Sequence, residues 1–235
     1  MRFVLSCLLV ASTVGAADLV VRQRSSTGSD AAPKEETVYL AGNKIATDTP
    51  TARTLVDLDA KTITSIDLGK RTYTVVTFDQ LTAQMDALKK SIEMLPPDAR
   101  KQMGVLFGDS APVTVKATGK TAQIAGYTAA EYALSGGPYS GAVWSTDAIP
   151  TPTAFQTWKG IEHSNGGSAR QLGEAISQIK GFPLRTHIEV KTGGRSIVLS
   201  NDVIDVKEAT PPREMLRVPT GFTQQALPPA GSAPR

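Results

Sequence analysis

The sequence has little of the chemistry that metal sites and disulfides require. Its 235 residues contain one cysteine, Cys7, and two histidines, His163 and His187. Cys7 lies in a segment that we expect to be removed, so the mature chain has no thiol, no disulfide and no cysteine ligand. A metal site would need several converging His, Asp or Glu side chains, and Glu162 and His163 are neighbours that diverge on a predicted helix. We therefore expect no metal and no cofactor.

Runs of one charge and phosphate-binding loops are missing as well. The chain has 25 basic and 22 acidic side chains, a net charge of +3, and the basic residues are scattered. Scattered charge gives no electrostatic footprint for nucleic acid. The glycine pairs at 136–137 and 193–194 lack the following helix and lysine of a phosphate loop. We expect no nucleic-acid partner.

One set of residue types suits hydrolysis: Ser200, His187 and Asp202 can cluster on a predicted hairpin. A hydrolytic triad also needs a strained nucleophile turn and oxyanion donors, and this hairpin offers neither. These residues are read as the polar face of a sheet. We expect the protein not to be an enzyme.

The N-terminus has the features of a leader. Arg2 is followed by an apolar run, residues 3–14, that is too short to span a bilayer. Small residues end the run, which predicts cleavage after Ala16 or, as second choice, after Ala17; the alternative is an uncleaved anchor. We expect residues 1–16 to be a signal peptide, the protein to be periplasmic, and the mature chain to have no transmembrane segment.

The clearest structural pattern is a hairpin between Gly181 and Val206. A Gly193-Gly194 turn places Thr192 opposite Arg195, because glycine reaches the positive φ of such turns. Leu184, Ile188 and Val190 then share one mostly apolar face with Ile197, Leu199 and Val203, and Thr186 faces Asn201 on that same face. The register predicts a half-buried antiparallel ribbon.

Strands and helices alternate in blocks along the rest of the chain. Thr77 and Gln80 have capping-box spacing and begin a helix whose apolar residues recur from Phe78 to Leu95. The remaining predicted elements are strands over 18–24, 36–40, 44–48, 53–77 and 113–146, helices over 97–107, 153–162 and 168–179 with Gly181 as the C′ residue of the last, and a disordered tail over 223–235.

Several short stretches resemble a known family. They are residues 120–127, KTAQIAGY, with Tyr132; Val143-Trp144; Gly181-Phe182-Pro183-Leu184; and residues 218–222, VPTGF. Over most of residues 18–222 the chain is similar to domain of unknown function family 4412, whose members resemble the LolA/LolB-like lipoprotein carriers of the bacterial envelope. The resemblance implies an α+β fold for residues 17–222: a curved antiparallel sheet forming a half-open β-barrel, with helices covering the concave face and an apolar cavity between them. Family members often carry a cysteine after the Gly-Tyr pair, where this chain has Thr128 and Ala129, so a thiol-based role is not implied here.

Two functions remain open on this reading. The protein either binds a lipid or an acyl chain in the cavity, or acts as a non-catalytic structural or interaction partner of another envelope protein, with its cavity filled by its own side chains. An enclosed volume of about 300 Å³ or more would favour binding. The candidate ligand-binding residues are Leu81, Met85, Phe155, Trp158, Leu184 and Ile188.

Overall fold

The computed structural model describes residues 17–28, 31–96, 111–162, 167–192 and 195–227. The described residues form three α-helices, α1 (Phe78–Glu93), α2 (Thr153–Glu162) and α3 (Gly167–Ser177), and a 3-10 helix, Arg213–Leu216. They also form twelve strands: β1 (Leu19–Thr27), β2 (Lys34–Ala41), β3 (Lys44–Asp48), β4 (Ala52–Asp57), β5 (Thr62–Asp67), β6 (Thr72–Thr77), β7 (Thr114–Ile124), β8 (Tyr127–Gly136), β9 (Tyr139–Thr146), β10 (Phe182–Thr192), β11 (Arg195–Glu208) and β12 (Thr223–Gln224).

All of the described strands join one open, curved sheet. Their order is β12-β6-β5-β4-β3-β2-β1-β11-β10-β9-β8-β7, so the sheet has two edges and does not close. The expected open sheet is confirmed, with one correction. The sheet is mixed, because β12 runs parallel to β6, whereas the other neighbouring strands pair antiparallel.

Parallel β12 also changes the expected end of the domain. Thr223 pairs with Thr72 and Gln224 with Tyr73, although the sequence placed both in a disordered tail. Propensity could not reveal this pairing, because it depends on backbone bonds to a strand about 150 residues earlier. Residues 228–235 of the predicted tail lie outside the described residues. So do the predicted signal peptide, the whole of the predicted helix 97–107, and His163.

The hairpin register is confirmed over the residues that pair. Thr192 lies opposite Arg195, Ile188 opposite Leu199 and Thr186 opposite Asn201. The predicted turn residues, Gly193 and Gly194, lie outside the described residues.

One face of the sheet, the inner face, carries most of the core. Leu19, Val21, Leu40 and Leu184 are each 1% exposed or less and belong to one buried cluster. A second cluster joins Ile188 and Val190 of β10 to residues of β8 and β9. Burying one such side chain stabilises the fold by about 1.5–3 kcal/mol.

Helices α2 and α3 cover part of the inner face. Ala154 of α2 is fully buried in the first cluster, and Ala175 of α3 is buried in the second. Small side chains at these positions let each helix approach the sheet closely.

The opposite, outer face of β3–β5 is covered by the C-terminal segment. Ala46, Leu55 and Ile66 are buried there beneath partly buried residues that include Leu216, Val218 and Phe222. Those last three residues follow Pro211-Pro212 in a stretch with no regular apolar pattern. They cover the core on this side of the sheet.

Helix α1 begins at the predicted residue, but less of its apolar stripe is buried than predicted. Thr77 is its N-cap, with both hydrogen bonds of the capping box to Gln80. Of the apolar stripe only Ile92 is buried, while Leu88 is 38% exposed. The regular apolar stripe predicts that this helix packs on the concave side of the sheet. Among the described elements α1 instead meets the sheet mainly at β6, the strand from which it starts, so its later turns gain less burial.

Gly181 has the predicted positive φ, 79°, but not the predicted role. Helix α3 ends at Ser177, so Gly181 is not its C′ residue. It leads into β10, where an added Cβ would lie 2.4 Å from the Thr146 carbonyl oxygen.

Candidate functional site

A cavity of about 260 Å³ lies between the inner face and helices α2 and α3. Most of its wall is apolar. The sheet contributes Val21, Val38, Leu40, Val143, Phe182 and Pro183, and the helical layer contributes Phe155, Ile176 and Ile179. The Phe155 and Phe182 rings lie 5.3 Å apart between centroids, at 37°. The cavity therefore sits where the two layers of the fold meet without filling the space between them.

One end of the same cavity is polar. Gln23, Ser145, Thr186 and Asn201 complete the wall. Along β1 and β2 the inner face changes from apolar to polar over two residues of each strand. The pair Val21–Val38 is followed on the same face by the pair Gln23–Glu36. The cavity spans this change, so its wall combines apolar side chains with a polar end.

Three side chains at the polar end form a directed chain of hydrogen bonds. Gln23 Nε2 donates to Glu36 Oε1 at 2.7 Å, and Asn201 Nδ2 donates to Gln23 Oε1 at 3.0 Å. An ionised carboxylate only accepts hydrogen bonds. Glu36 therefore fixes which end of the Gln23 amide faces it, and Gln23 in turn fixes the Asn201 amide.

The last acceptor in this chain has no partner. Asn201 Oδ1 is buried and accepts no hydrogen bond from any described residue. An unsatisfied buried acceptor costs about 1–3 kcal/mol. Such a group in a native structure requires an explanation, and Asn201 is one of the residues that line the cavity.

The predicted ligand-binding residues divide into three sets. Phe155 lines the cavity. Leu184 and Ile188 are buried on the inner face but belong to the two core clusters beside the cavity, not to its wall. Leu81 and Met85 are partly buried on α1 and do not reach this wall, and the side chain of Trp158 lies outside the described residues.

The sequence contained a signal for the polar end that was not used. The hairpin register placed Thr186 opposite Asn201 on an otherwise apolar face, and a polar pair there needs a reason. Gln23 had no comparable signal, because a bulge between Arg22 and Gln23 shifts the pairing of β1 with β11. The side-chain hydrogen bond between Asn201 and Gln23 therefore could not be predicted from the alternation of residues along β1.

Larger clefts lie elsewhere on the described residues, and two of them have volumes of about 420 and 470 Å³. Both have walls made mostly of polar and charged residues. The second includes Ser200 and Asp202 of the conceivable triad, and His187 does pair with Ser200 across the hairpin. Asp202, however, accepts a hydrogen bond from Arg185 Nε, so the carboxylate is held by a cation on the neighbouring strand.

Two broader properties concern only the part of the chain that the structure describes. It contains no group of three or more His, Cys, Asp or Glu side chains placed to hold a metal ion. None of its helices combines the length and the apolar character needed to cross a membrane.

Comparisons with known proteins give distant structural likenesses and a family. Two structures of PNGF-II resemble the chain at TM-score 0.40, with 10% and 12% identity, over 90% of this chain and 31% and 32% of theirs. A structure of MucB resembles it at TM-score 0.36 and 10% identity, over 88% of this chain and 58% of that one. The chain thus spans less than two thirds of each of these proteins. No curated protein matches it. The pattern of one family, described as a domain of unknown function (DUF4412), matches residues 30–222, and the chain belongs to that family.

Proposed function

We propose that this protein binds a hydrophobic ligand in the cavity between the inner face of the sheet and helices α2 and α3. The observation that carries the proposal is the wall itself: nine of its side chains are apolar, and the polar ones gather at one end. In this proposal the inner face is the concave side of a half-open barrel, and the two helices cover the ligand. The protein acts as a carrier or sensor of that ligand, not as an enzyme.

The cavity volume limits the ligand. About 260 Å³ is below the roughly 300–1,000 Å³ of pockets that hold drug-sized molecules. It is also below the volume that would by itself have favoured binding. We therefore propose a ligand with a single aliphatic chain, such as one acyl or alkyl group.

The alternative is an interaction protein of the envelope with a filled interior. It is favoured by the burial of Leu184 and Ile188, which are 0% and 2% exposed and pack in the core clusters, not in the cavity wall. Under this alternative the cavity is a packing defect, and a ligand of any kind fails to bind it.

We also propose that the protein works in the periplasm after removal of residues 1–16. The support is the sequence of the leader: Arg2, a short apolar run and small residues at its end. N-terminal sequencing of the protein from a bacterial envelope fraction tests this. A mature start at Ala17 or Asp18 is expected, and an intact Met1 would contradict export by a cleaved leader.

Binding is tested by isothermal titration calorimetry with 1-decanol and its capped relative 1-methoxydecane, supported by native mass spectrometry. We expect saturable binding with a negative heat-capacity change, the mark of apolar burial. Two variants should fill the cavity and remove binding: Val38→Phe from the sheet and Ile176→Phe from α3. Val198→Phe is the matched control, because Val198 pairs with Glu189 on the other face of the hairpin.

The ligand-binding proposal and the alternative of a filled scaffold predict opposite results. If neither ligand binds the native protein, the cavity is not a ligand site and the filled scaffold remains. If both ligands bind equally well to folded Val38→Phe and Ile176→Phe proteins, the site lies elsewhere on the molecule.

A further inference from the structure

We infer that the ligand of this cavity carries an uncharged hydrogen-bond donor, a hydroxyl or amide N–H, which bonds to Asn201 Oδ1. The inference rests on the proposed binding function and specifies the chemistry of the ligand's polar end. It starts from the unpaired oxygen: Asn201 lines the cavity, and its Oδ1 is buried without a partner among the described residues.

The amide of Asn201 cannot turn round to remove the problem. Rotating it by 180° would bring Oδ1 against Gln23 Oε1, which now accepts from Asn201 Nδ2 at 3.0 Å. Gln23 cannot turn either, because its Nε2 donates to the Glu36 carboxylate at 2.7 Å. The chain of bonds ends on an acceptor, and only a donor can complete it.

No neighbouring described group donates to Asn201 Oδ1. The Ser145 hydroxyl donates to the Lys180 carbonyl oxygen at 2.6 Å, so its proton is already used. The Thr186 hydroxyl, opposite Asn201 on the same wall, does not donate to Asn201 Oδ1 either. A molecule seated in the cavity is therefore the source of the missing donor.

The charge at this end selects against anions. No basic side chain lines the cavity in the described part of the chain. The Glu36 carboxylate stands behind Gln23, and Asn201 presents an oxygen. A free carboxylate would add another acceptor where acceptors are in excess, and it would be desolvated without compensation. An alcohol or an amide of the same chain length avoids both costs.

The experiment compares three ten-carbon ligands by calorimetry at pH 7: 1-decanol, 1-methoxydecane and decanoate. The ether keeps the chain and the oxygen of the alcohol but has no donor. The native protein should bind 1-decanol about tenfold more tightly than the ether, since a satisfied acceptor replaces a buried unpaired one. Decanoate should bind more weakly than 1-decanol.

Two variants locate the preference. Asn201→Leu removes the acceptor and should bring the affinities for alcohol and ether within about twofold of each other. Thr186→Val removes the hydroxyl opposite Asn201 but keeps the acceptor, so the preference for the alcohol should persist. If Asn201→Leu fails to fold, the ratio of alcohol to ether affinity in the native protein decides alone.

The outcomes separate this inference from the proposed function. Equal binding of alcohol and ether by the native protein overturns the inference and leaves the binding function intact. Tighter binding of decanoate than of 1-decanol also overturns it. If none of the three ligands binds, the proposed function itself fails.

Discussion

Asn201 Nδ2 donates a hydrogen bond to Gln23 Oε1 at 3.0 Å, joining two residues 178 positions apart in the chain. The bond ties the first strand of the domain to the last long one, at the polar end of the cavity. Turning the side-chain amide of either residue by 180° would break the hydrogen bond to the other.

The first prediction concerns the coupling of these two residues in stability. Gln23→Ala should lower the free energy of unfolding by about 1–2 kcal/mol, because it removes the bonds to both Glu36 and Asn201. Asn201→Ala should lower it by less, because the substitution removes the unpaired Oδ1 together with the bond to Gln23. The double variant should lose less than the sum, with a coupling energy of about 0.5–1.5 kcal/mol. Urea denaturation of the four proteins measures it. Additive losses would mean that the bond contributes nothing.

Much of the fold could be predicted because it is local. The hairpin register was predicted from a two-residue turn and alternating side chains, and β10 and β11 pair in that register. The capping box of α1 is equally local, since Thr77 and Gln80 are three positions apart. These features need no knowledge of distant contacts.

The parts that could not be predicted are set by long-range packing. Residues 213–222 have no periodic pattern, yet Leu216, Val218 and Phe222 cover the outer face of a sheet built by residues 44–67. Helix α1 shows the converse, because its apolar stripe is regular but its described contacts with the sheet lie mainly at β6. Periodicity indicates which side of a helix is apolar, not whether a partner is present.

The candidate site was predicted only in part for the same reason. Phe155 is a predicted ligand-binding residue that does line the cavity. The chain of bonds from Glu36 to Asn201 depends on the order of strands in the sheet, where β1 lies between β2 and β11. A single sequence does not contain that order.

The second prediction concerns Arg53, which holds the C-terminal segment to the outer face. Its side chain is 9% exposed; Nε contacts Asp48 Oδ1 at 2.7 Å and Nη1 donates to the Glu214 carbonyl oxygen at 2.9 Å. Arg53→Met should lower the free energy of unfolding by about 2–3 kcal/mol, because two bonds to a charged group are lost. It should also speed tryptic cleavage after Arg217.

The control for Arg53 is Arg24, which pairs with Glu35 at 2.9 Å but is 56% exposed. Arg24→Met should cost less than about 1 kcal/mol, as exposed ion pairs do, and should leave the cleavage rate at Arg217 unchanged. Equal effects of the two substitutions would show that Arg53 does not hold the segment.

The third prediction concerns acid stability at Asp57. Partial burial acts to raise the pKa of this carboxyl, but the Ala60 N–H and the Lys44 ammonium outweigh it and hold the pKa below its usual 3.8. A depressed folded-state pKa stabilises the protein above the unfolded-state pKa, and this stability is lost as pH falls through the folded-state value. Asp57→Asn should therefore be less stable than the native protein at pH 7, and the difference should shrink below about pH 4.

Urea denaturation between pH 7 and pH 3 measures this difference. Asp59→Asn is the comparison, because Asp59 lies in the same turn and accepts from Asn43 at 2.8 Å, a bond that an amide oxygen can keep. A constant difference between native and Asp57→Asn proteins across the pH range would contradict the assignment.

The last prediction concerns how a ligand reaches a cavity that lies beneath helices α2 and α3. Lids belong to the less stable parts of a fold, whereas a hairpin paired on both sides opens only with the whole sheet. β10 has β9 and β11 as neighbours, and α2 and α3 rest on the inner face through Ala154 and Ala175. Backbone amides of α2 and α3 should exchange hydrogen faster than those of β10, and saturating 1-decanol should slow exchange in the helices more than in β10. Val38→Phe, which fills the cavity, should show no response to the alcohol. Helix amides that exchange as slowly as those of β10, with and without ligand, would mean that α2 and α3 are fixed parts of the core and that no ligand passes beneath them.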